Sequence, residues 1–452
     1  MRIRLDRRVL LVVVCVAIFL VVPVLALWQQ WGLWRYSTNG APNSVAISSN
    51  GSYLAVGVGI GPQGGRILFF DRAGSLLWTH DTDMLIGSVA ISADGSYVAA
   101  AGFQLVGPPG TWENGIIYYL ARDGTILWNY TPKPPPNTGD YSPPIYRISL
   151  SSDGTMITAD TPSGMLFLDN HGQLLWSQVA HGDVASHTIM SLDGTYVVTV
   201  DDRARAFDDQ GRSLWNSSII PQTVQNVAMS PDGRYLAVDQ EISPNNGTLY
   251  LFNKTGGLLR TQAFNSPPYS ITFSADDSTM VIGTRYNVIA FDWSGKILWN
   301  WNMPSGSSVS SLATTSDGSY TLAGLGARAD FGQTFLVFNN QGIPLWGKPV
   351  GTAGQIALSS DGSYAAIAAW PMITSTSFPS GSIYLFPGPG ALGRDTGPVY
   401  SLLYFGQNTG LIPSAIILPA AISATLIAVT LARSRNRARK NPGAKPESPR
   451  TS

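Results

Sequence analysis

The strongest constraint on the fold of this chain is an internal repeat. A pattern of Ser, a variable residue, Asp-Gly, a further residue and often Tyr recurs about every 40 to 50 residues, a period typical of propellers and solenoids. The strings VAISADGSYVAAAG and VAMSPDGRYLAV show it most clearly. Its eight copies have their turns at Asn50-Gly51, Asp94-Gly95, Asp153-Gly154, Asp193-Gly194, Asp232-Gly233, Asp276-Asp277, Asp317-Gly318 and Asp361-Gly362.

Each copy of this pattern predicts a β-hairpin. Apolar and β-branched residues flank the Asp-Gly pair, which is favoured in tight turns that need a positive φ. A second turn follows in the same unit, as in Asp71-Arg72-Ala73-Gly74, and joins two more strands. Four strands per unit match one propeller blade. The sequence therefore predicts an all-β fold, an eight-bladed β-propeller of four-stranded blades.

A recurring Leu-Trp pair counts the blades independently. One copy precedes the first turn, whereas the last unit ends at Ile383 to Phe386 with no Leu-Trp after it. We therefore expect Leu33 to Ser37 to supply the outer strand of the last blade, so that the ring has no unpaired internal edge. The positions are Trp34, Trp78, Trp128, Trp176, Trp215, Arg260 in place of Trp, Trp299 and Trp346.

The second turn of the unit carries a resemblance to a known family. FDRAGSLLW (Phe70 to Trp78), FDDQGRSLW (Phe207 to Trp215) and FDWSGKILW (Phe291 to Trp299) are similar to the D-x-x-G-x-x-x-W tryptophan-docking repeat of pyrroloquinoline-quinone-like eight-bladed propellers. The S-x-D-G-x-Y half resembles WD-like and surface-layer repeats. The resemblance covers residues 33 to 387. It implies the propeller architecture, which quinoprotein dehydrogenases share with a bacterial outer-membrane assembly lipoprotein and many non-catalytic surface proteins.

The resemblance does not extend to catalytic residues. Quinoprotein dehydrogenases of this family hold their cofactor with a calcium site of acidic and amide side chains, and typically with a vicinal disulfide. Neither pattern is present, and Cys15 is the only cysteine of the chain. Because fold analogy alone is a poor warrant for activity, we predict a non-catalytic protein without cofactor or metal. A quinoprotein-type oxidoreductase and a passive structural envelope component are the alternatives.

Two uncharged segments flank the repeats and predict a membrane protein. Val9 to Leu27 and Leu411 to Ala432 are each long enough to cross a bilayer as a helix. Arginines precede the first segment and a basic tail follows the second, so both termini are expected in the cytoplasm and the repeats outside the cell membrane. A cleaved signal peptide is the alternative for the first segment. The expected organisation is residues 1-8 cytoplasmic, 9-27 transmembrane, 33-387 propeller, 388-410 linker, 411-432 transmembrane and 433-452 cytoplasmic tail.

The excess of acidic residues in the predicted external region argues against nucleic acid as a partner. The predicted external region has 17 basic and 26 acidic residues, whereas nucleic-acid binding needs clustered Lys and Arg. We therefore expect no nucleic acid as a partner. The predicted function is an extracytoplasmic binding or scaffolding module for an envelope protein, a glycan or a secreted ligand.

The connection between the second and third strands of each blade varies most in length and suggests where a partner binds. It is about 3 residues near Asp201 and Arg285, about 12 near Phe103 to Asn114 and about 13 near Trp370 to Gly381, with a lesser extension at Asp239 to Gly247 in blade five. The long ones belong to blades one, two, seven and eight, which are consecutive around the ring. The candidate binding residues are Trp112, Glu113, Tyr141, Asp330, Phe331 and Trp370.

Chain direction predicts how such a ring faces the membrane. The two tight turns of every blade share one face, and the variable connections share the other. Since the chain enters the ring as an outermost strand and leaves after the third strand of blade eight, both predicted membrane segments attach on the tight-turn face. The variable connections then point away from the bilayer.

Two further motifs carry weaker signals. The string HGDVASH, with His181, Asp183 and His187, offers metal-ligand types but is expected in a solvated loop. Asn-x-Ser/Thr sequons predict N-glycosylation on one side of the membrane. They lie at Asn50, Asn129, Asn216, Asn246 and Asn253.

Overall fold

A computed structural model describes most of the repeat region. The described residues form eight four-stranded antiparallel sheets, which confirms the predicted blade number and strand count. Innermost strands of neighbouring sheets contact each other all the way round, including the first and last blades, so the sheets form a closed ring. The described residues are 34–61, 64–105, 112–133, 142–180, 187–217, 224, 226–303, 307–326, 335–348, 350, 352–370 and 380–387.

Blades one to four follow one another directly along the chain, and each runs from its innermost to its outermost strand. Their strands are β2 (Ala41–Ile47), β3 (Tyr53–Gly59), β4 (Gly65–Asp71) and β5 (Leu76–Thr82); β6 (Leu85–Ile91), β7 (Tyr97–Leu105), β8 (Trp112–Ala121) and β9 (Ile126–Tyr130); β10 (Arg147–Leu150), β11 (Met156–Thr161), β12 (Gly164–Asp169) and β13 (Leu174–Val179); β14 (His187–Met190), β15 (Tyr196–Val200), β16 (Ala204–Asp208) and β17 (Ser213–Asn216).

Blades five to seven repeat this order, and blade eight takes its outermost strand from the start of the propeller. The strands are β18 (Val227–Met229), β19 (Tyr235–Ser243), β20 (Asn246–Asn253) and β21 (Leu258–Phe264); β22 (Pro268–Phe273), β23 (Met280–Thr284), β24 (Asn287–Phe291) and β25 (Ile297–Asn302); β26 (Ser308–Thr314), β27 (Tyr320–Gly326), β28 (Phe335–Asn339) and β29 (Pro344–Lys348); β30 (Thr352–Leu358), β31 (Tyr364–Trp370), β32 (Ser382–Pro387) and β1 (Trp34–Ser37).

The Ser-x-Asp-Gly turn of blade two shows why the repeat folds as a hairpin. Asp94 Oδ1 accepts hydrogen bonds from Ser92 Oγ at 2.9 Å and from the Ser96 amide at 2.8 Å. Ser92 Oγ in turn accepts the amide of Tyr97 at 3.0 Å. Gly95 has φ +72°, a backbone conformation that is sterically unfavourable for residues with a side chain. The turn therefore satisfies several of its polar groups within its own residues.

Packing between blades uses the aromatic residues of the repeat. Tyr53 of blade one lies against Gly95 of blade two, where a Cβ atom would come within 2.5 Å of the ring. Tyr53, Phe69 and Trp78 form one stack, with ring centroids 5.4 and 5.0 Å apart. These stacks bury large apolar surfaces between blades, which is the main favourable contribution to folding.

At seven of the eight Leu-Trp positions, Arg260 included, a described side chain packs on a turn glycine of the next blade. Trp78 lies over Gly124, and its indole nitrogen donates to the Arg122 carbonyl at 2.8 Å. Arg260, which replaces Trp in blade five, lies over Gly295 in the same way and donates from Nη1 to the Ser294 carbonyl at 2.9 Å. The arginine thus reproduces the hydrogen bond of the indole without its aromatic ring. The described periodic Trp residues therefore serve packing between blades.

The ring closes as predicted through its first described strand. Strand β1 pairs antiparallel with β32, and Trp34 is opposite Leu385. Trp34 also lies over Gly74 of blade one, so it links the last blade to the first. The start of β1 and the end of β32 are therefore neighbours on the face that holds the tight turns.

A ring of backbone hydrogen bonds connects the innermost turns on that face. In each described bond, the backbone amide of the residue after the turn Ser/Thr donates to the equivalent carbonyl of the next blade. In blade six the donor is one residue further along the chain. Pro231 occupies this position in blade five and has no N–H to donate to blade six. The described bonds are Ser49 to Ala93, Ala93 to Ser152, Ser152 to Leu192, Asp276 to Ser316, Ser316 to Ser360 and Ser360 to Ser49.

The predicted membrane segments, Val9 to Leu27 and Leu411 to Ala432, lie outside the described residues. Across the residues that are described, no helix is long and apolar enough to cross a bilayer.

Candidate functional site

The residues predicted to bind a partner are only partly described. Trp112 begins β8 and pairs with Leu105, and Glu113 pairs with Gln104 one residue further. Trp370 ends β31 and is half-buried, and its indole nitrogen donates to the Pro42 carbonyl of blade one at 3.1 Å. Tyr141, Asp330 and Phe331 lie outside the described residues. The predicted contact region therefore stays a prediction.

Two of the predicted long connections are largely strand. In blade two, β7 and β8 continue to Leu105 and Trp112, so only residues 106–111 separate them. In blade five, β19 and β20 run to Ser243 and from Asn246, which leaves a two-residue connection in place of the expected loop. The reason is that continued cross-strand pairing satisfies backbone polar groups that a loop would leave to solvent. These blades therefore present hairpins that extend beyond the ring.

The innermost strands place one residue of each blade at an equivalent point around the central channel. This residue precedes the turn Ser/Thr by four positions. No motif of the sequence marks this residue, although its constant spacing from the turn Ser/Thr would have revealed it. The eight channel residues are Ser44, Ser88, Arg147, His187, Asn226, Ser270, Ser311 and Gln355.

Most channel residues hold the backbone of the next blade. Ser44 Oγ accepts the Val89 amide at 3.1 Å, and Ser88 Oγ accepts the Ile148 amide at 3.2 Å. The same bond recurs from blade six to blade seven, from seven to eight and from eight to one. The channel side chains of these five blades therefore act as hydrogen-bond acceptors toward the protein, whereas Asn226 donates from Nδ2 to Asp239 Oδ2.

Arg147 breaks this rule, because a guanidinium cannot accept a hydrogen bond. Asp160 is directly opposite Arg147 on β11, and its Oδ2 accepts the Thr188 amide at 2.9 Å in place of the channel residue. Asp160 is almost fully buried. Burial raises the pKa of Asp160 to about 6, although hydrogen bonds from Thr188 and the charge of Arg147 act in the opposite direction. Asp160 thus replaces an acceptor that Arg147 cannot supply.

His187, which was expected in a solvated loop, begins strand β14 instead. Its Nδ1 contacts Nη1 of Arg147. Burial and the charge of Arg147 lower the pKa of His187 to about 4, so the imidazole is neutral at neutral pH and can accept a hydrogen bond from the guanidinium. His181 and Asp183 lie outside the described residues, and no group of three or more potential metal ligands occurs within the described part of the chain.

A cavity of about 350 Å³ lies within the channel. Because innermost strands of five blades line it, it must surround the axis of the ring. Arg147 is the only charged residue among the described residues that line it. The lining includes Arg147, Asn226, Tyr269, Ser270, Ser311 and Gln355.

A second polar cluster closes the middle turn of blade four. Asp201 and Arg205 are both buried, and Arg205 Nη1 donates to Asp201 Oδ2 at 2.7 Å. The other guanidinium nitrogen contacts Asp202, which also pairs with Arg203. Since each buried charge has an opposite charge beside it, the cluster is explained by the structure of this turn.

The predicted glycosylation positions differ in accessibility. Asn129, Asn216 and Asn246 are exposed on strands. Asn50 is exposed, but its Oδ1 accepts the amide of Ser52 within a turn. Asn253 is half-buried, and its Oδ1 accepts two backbone amides of the following turn. Glycosylation itself stays a prediction at all of them.

Comparison with known sequence families identifies the repeat. The family of PQQ-like repeats described as outer membrane protein assembly factor BamB matches residues 113–243 and 205–376, which together span more than half of the chain. A search of curated proteins gives no match. The matched region includes five complete blades of the ring, three to seven, and reaches strand β31 of the last one. With eight four-stranded blades joined by tryptophan docking, this chain belongs to the PQQ-like propeller family of the outer membrane protein assembly factor BamB.

Proposed function

We propose that this protein is a membrane-anchored propeller that acts outside the cell as a binding or scaffolding module for an envelope protein, a glycan or a secreted ligand. The family description, an assembly factor, supports a role in binding other proteins. A rigid ring of eight blades offers a broad surface that does not need to rearrange on binding.

One observation carries the proposed arrangement: the chain enters and leaves the ring side by side. Trp34 begins β1 on the tight-turn face, and β32 ends on the same face at Pro387. The predicted membrane segments at 9-27 and 411-432 would therefore both attach there. The opposite face, which holds the variable connections, would remain accessible to a partner.

We place the partner on the arc of blades seven, eight, one and two. In this arc Trp112 begins β8 at the end of the blade-two connection, and Asp330 and Phe331 belong to the blade-seven connection. Trp370 joins the two central blades through the carbonyl of Pro42. Aromatic residues are typical anchors of protein interfaces.

Photo-crosslinking in native membranes tests both the face and the arc. A photoreactive amino acid is placed in the full-length protein at Ile60, on the variable face of blade one, or at Asn245, on the same face of blade five. A third position, Ala73, lies on the tight-turn face of blade one. All three residues are exposed, so their reactivity toward solvent is comparable.

The proposal expects a discrete crosslinked species from Ile60 and none from Ala73 or Asn245. Equal crosslinking from Ile60 and Asn245 would contradict the placement of the partner on the arc of blades seven, eight, one and two. Crosslinking from Ala73 alone would contradict its placement on the face of the variable connections. If none of the positions gives a discrete product, the passive structural role is favoured over a binding module.

A further inference from the structure

We propose that the channel cavity is a binding site for a small anion that carries a carboxylate or a phosphate group, with Arg147 as the residue that pairs with the charge. This site is separate from the partner surface proposed above. A negative result for anion binding in the channel would therefore not contradict the proposed scaffold function, and a negative result for partner binding would not contradict the anion site.

The shape of the cavity suits a small molecule. Its volume of about 350 Å³ lies within the range of small-molecule sites, and its walls come from five different blades. Because these blades form part of a closed ring, the lining residues are held in place without a ligand. A preformed site of this kind loses little conformational entropy on binding.

The polar side chains of the cavity lining favour a ligand with hydrogen-bond acceptors. Ser270 Oγ and Ser311 Oγ accept the amides of Leu312 and Ile356 at 3.0 and 3.2 Å, and Gln355 Oε1 accepts the amide of Val45 at 3.3 Å. These bonds occupy acceptor positions of the side chains. The hydroxyl hydrogens and the Gln355 amide hydrogens are the groups left to serve a ligand. Asn226 is the exception, because its Nδ2 already donates to Asp239 Oδ2 and to the Pro268 carbonyl. The donors of the other lining residues favour a ligand rich in acceptors.

The charge of the described cavity lining is positive. Arg147 is the only ionic group among the described residues of the lining, and no carboxylate in the described part of the chain lies within ion-pair distance of its guanidinium. His187 contacts one guanidinium nitrogen from the side and leaves other N–H groups for a ligand. A guanidinium matches the geometry of carboxylate and phosphate oxygens.

The charge of Asp160 acts on Arg147, so the proposed site can be tested by removing either charge. Asp160 Oδ2 accepts the Thr188 amide, and Asp160 pairs directly with Arg147 on the neighbouring strand. A negative charge at Asp160 weakens the attraction between Arg147 and an anion. Neutralising Asp160 should therefore strengthen anion binding, whereas neutralising Arg147 should abolish it.

Calorimetric titration of the full-length protein in non-ionic detergent tests the site. The probes are inorganic phosphate, glucose 1-phosphate, glucuronate and, as the uncharged match, glucose. The variants are Arg147→Gln, Asp160→Asn and Tyr269→Phe, with Arg285→Gln as a control. Arg285 is an exposed arginine on the variable face of blade six, so its substitution changes the net charge equally but lies outside the cavity.

We expect saturable binding of at least one anion and none of glucose, and the preference between glucuronate and the phosphates identifies the charged group. Arg147→Gln should weaken binding about tenfold or more, and Arg285→Gln should change it by less than about twofold. Asp160→Asn should tighten binding of glucuronate about threefold at about pH 7.5.

The proposal is overturned if Arg147→Gln folds and binds as the wild type does, or if wild-type protein binds no anion at about 10 mM. Should Arg147→Gln fail to fold, Tyr269→Phe and Asp160→Asn decide, because the first removes one donor from the lining and the second removes the opposing charge. Unchanged affinity in both variants would also contradict the site.

Discussion

Trp34 and Leu385 are directly opposite each other in the outer hairpin of blade eight, although they come from the two ends of the propeller sequence. Trp34 packs against Phe70 with ring centroids 5.1 Å apart and covers Gly74 of blade one. One residue thus contributes both to the last sheet and to its contact with the first. Closure of the ring therefore depends on side-chain packing as well as on strand pairing.

Substitution of Trp34 should weaken this closure. We expect Trp34→Ala to reduce the free energy of unfolding by about 3 kcal/mol, because it removes a large packed side chain. Trp34→Phe should cost less than Trp78→Phe by about 1 kcal/mol, since the Trp34 indole nitrogen has no partner among the described residues, whereas that of Trp78 donates to Arg122. Chemical denaturation of the three variants measures both differences, and equal costs for the two Phe variants would contradict the second.

The turn glycines separate backbone strain from packing. Gly95 and Gly61 both have positive φ, at +72° and +91°, but an added Cβ would meet Tyr53 at Gly95 and nothing within 4 Å at Gly61. Gly61→Ala should therefore show only the cost of the backbone conformation, about 1 kcal/mol, and Gly95→Ala should cost at least about 2 kcal/mol more. Thermal denaturation distinguishes them, and equal destabilisation would show that Tyr53 moves aside freely.

Arg260 is the one described docking position that lacks an aromatic ring. A void of about 10 Å³ lies beside it, lined by Leu249, Met280 and Phe291. Arg260→Trp should raise the free energy of unfolding by about 1 kcal/mol, because the indole fills apolar space and can keep a hydrogen bond to the Ser294 carbonyl. The matched reverse change, Trp215→Arg, should lower stability. A destabilising effect of Arg260→Trp would mean that the blade five to six contact has adapted to the smaller guanidinium.

The Asp160 and His187 pair predicts opposing pH dependences of stability. The folded pKa of Asp160, about 6, is above its ordinary value of 3.8, so its contribution is present below pH 3.8 and is lost as pH rises through 6. The folded pKa of His187, about 4, is below its ordinary value of 6.5, so the unfolded state binds the proton first and stability falls as pH falls from 6.5 to 4. The two slopes partly cancel in the wild-type protein.

Single substitutions at Asp160 and His187 should separate their two contributions to the pH dependence of stability. Relative to wild type, Asp160→Asn should gain about 2 kcal/mol more stability at about pH 7.5 than at about pH 4. His187→Gln should show the reverse, so that its stability relative to the wild type is higher at about pH 4 than at about pH 7.5. Urea unfolding of each variant across this range provides the measurement, and parallel curves for variant and wild type would contradict the assignment.

The sequons should differ in occupancy if the protein enters a glycosylating compartment. Asn246 is exposed at the start of β20, whereas the carboxamide of Asn253 accepts the amides of Thr255 at 3.0 Å and Gly257 at 2.8 Å. We expect Asn246→Gln to remove one glycan from the mass of the protein and Asn253→Gln to leave the mass of the glycans unchanged. A glycan lost only from the Asn253 variant would contradict this order.

The number of blades, the position of the tight turns and the closing strand were all predictable from the sequence. They depend on local chemistry that recurs: Asp94 can accept the hydrogen bonds of its own turn, Gly95 can adopt a positive φ, and the Leu-Trp phase around Trp34 shows which strand blade eight lacks. Information of this kind is contained within a few neighbouring residues.

The channel residues and the extended hairpins were decided only by the tertiary structure. Arg147, Asp160 and His187 come from three strands of two blades, and nothing in their local sequences indicates that the acceptor missing at Arg147 is supplied from the opposite strand. Likewise, whether the residues after Phe103 pair as strands depends on the partner strand across from them. Contacts set by register and by ring geometry involve residues far apart in the chain, so only the folded ring determines them.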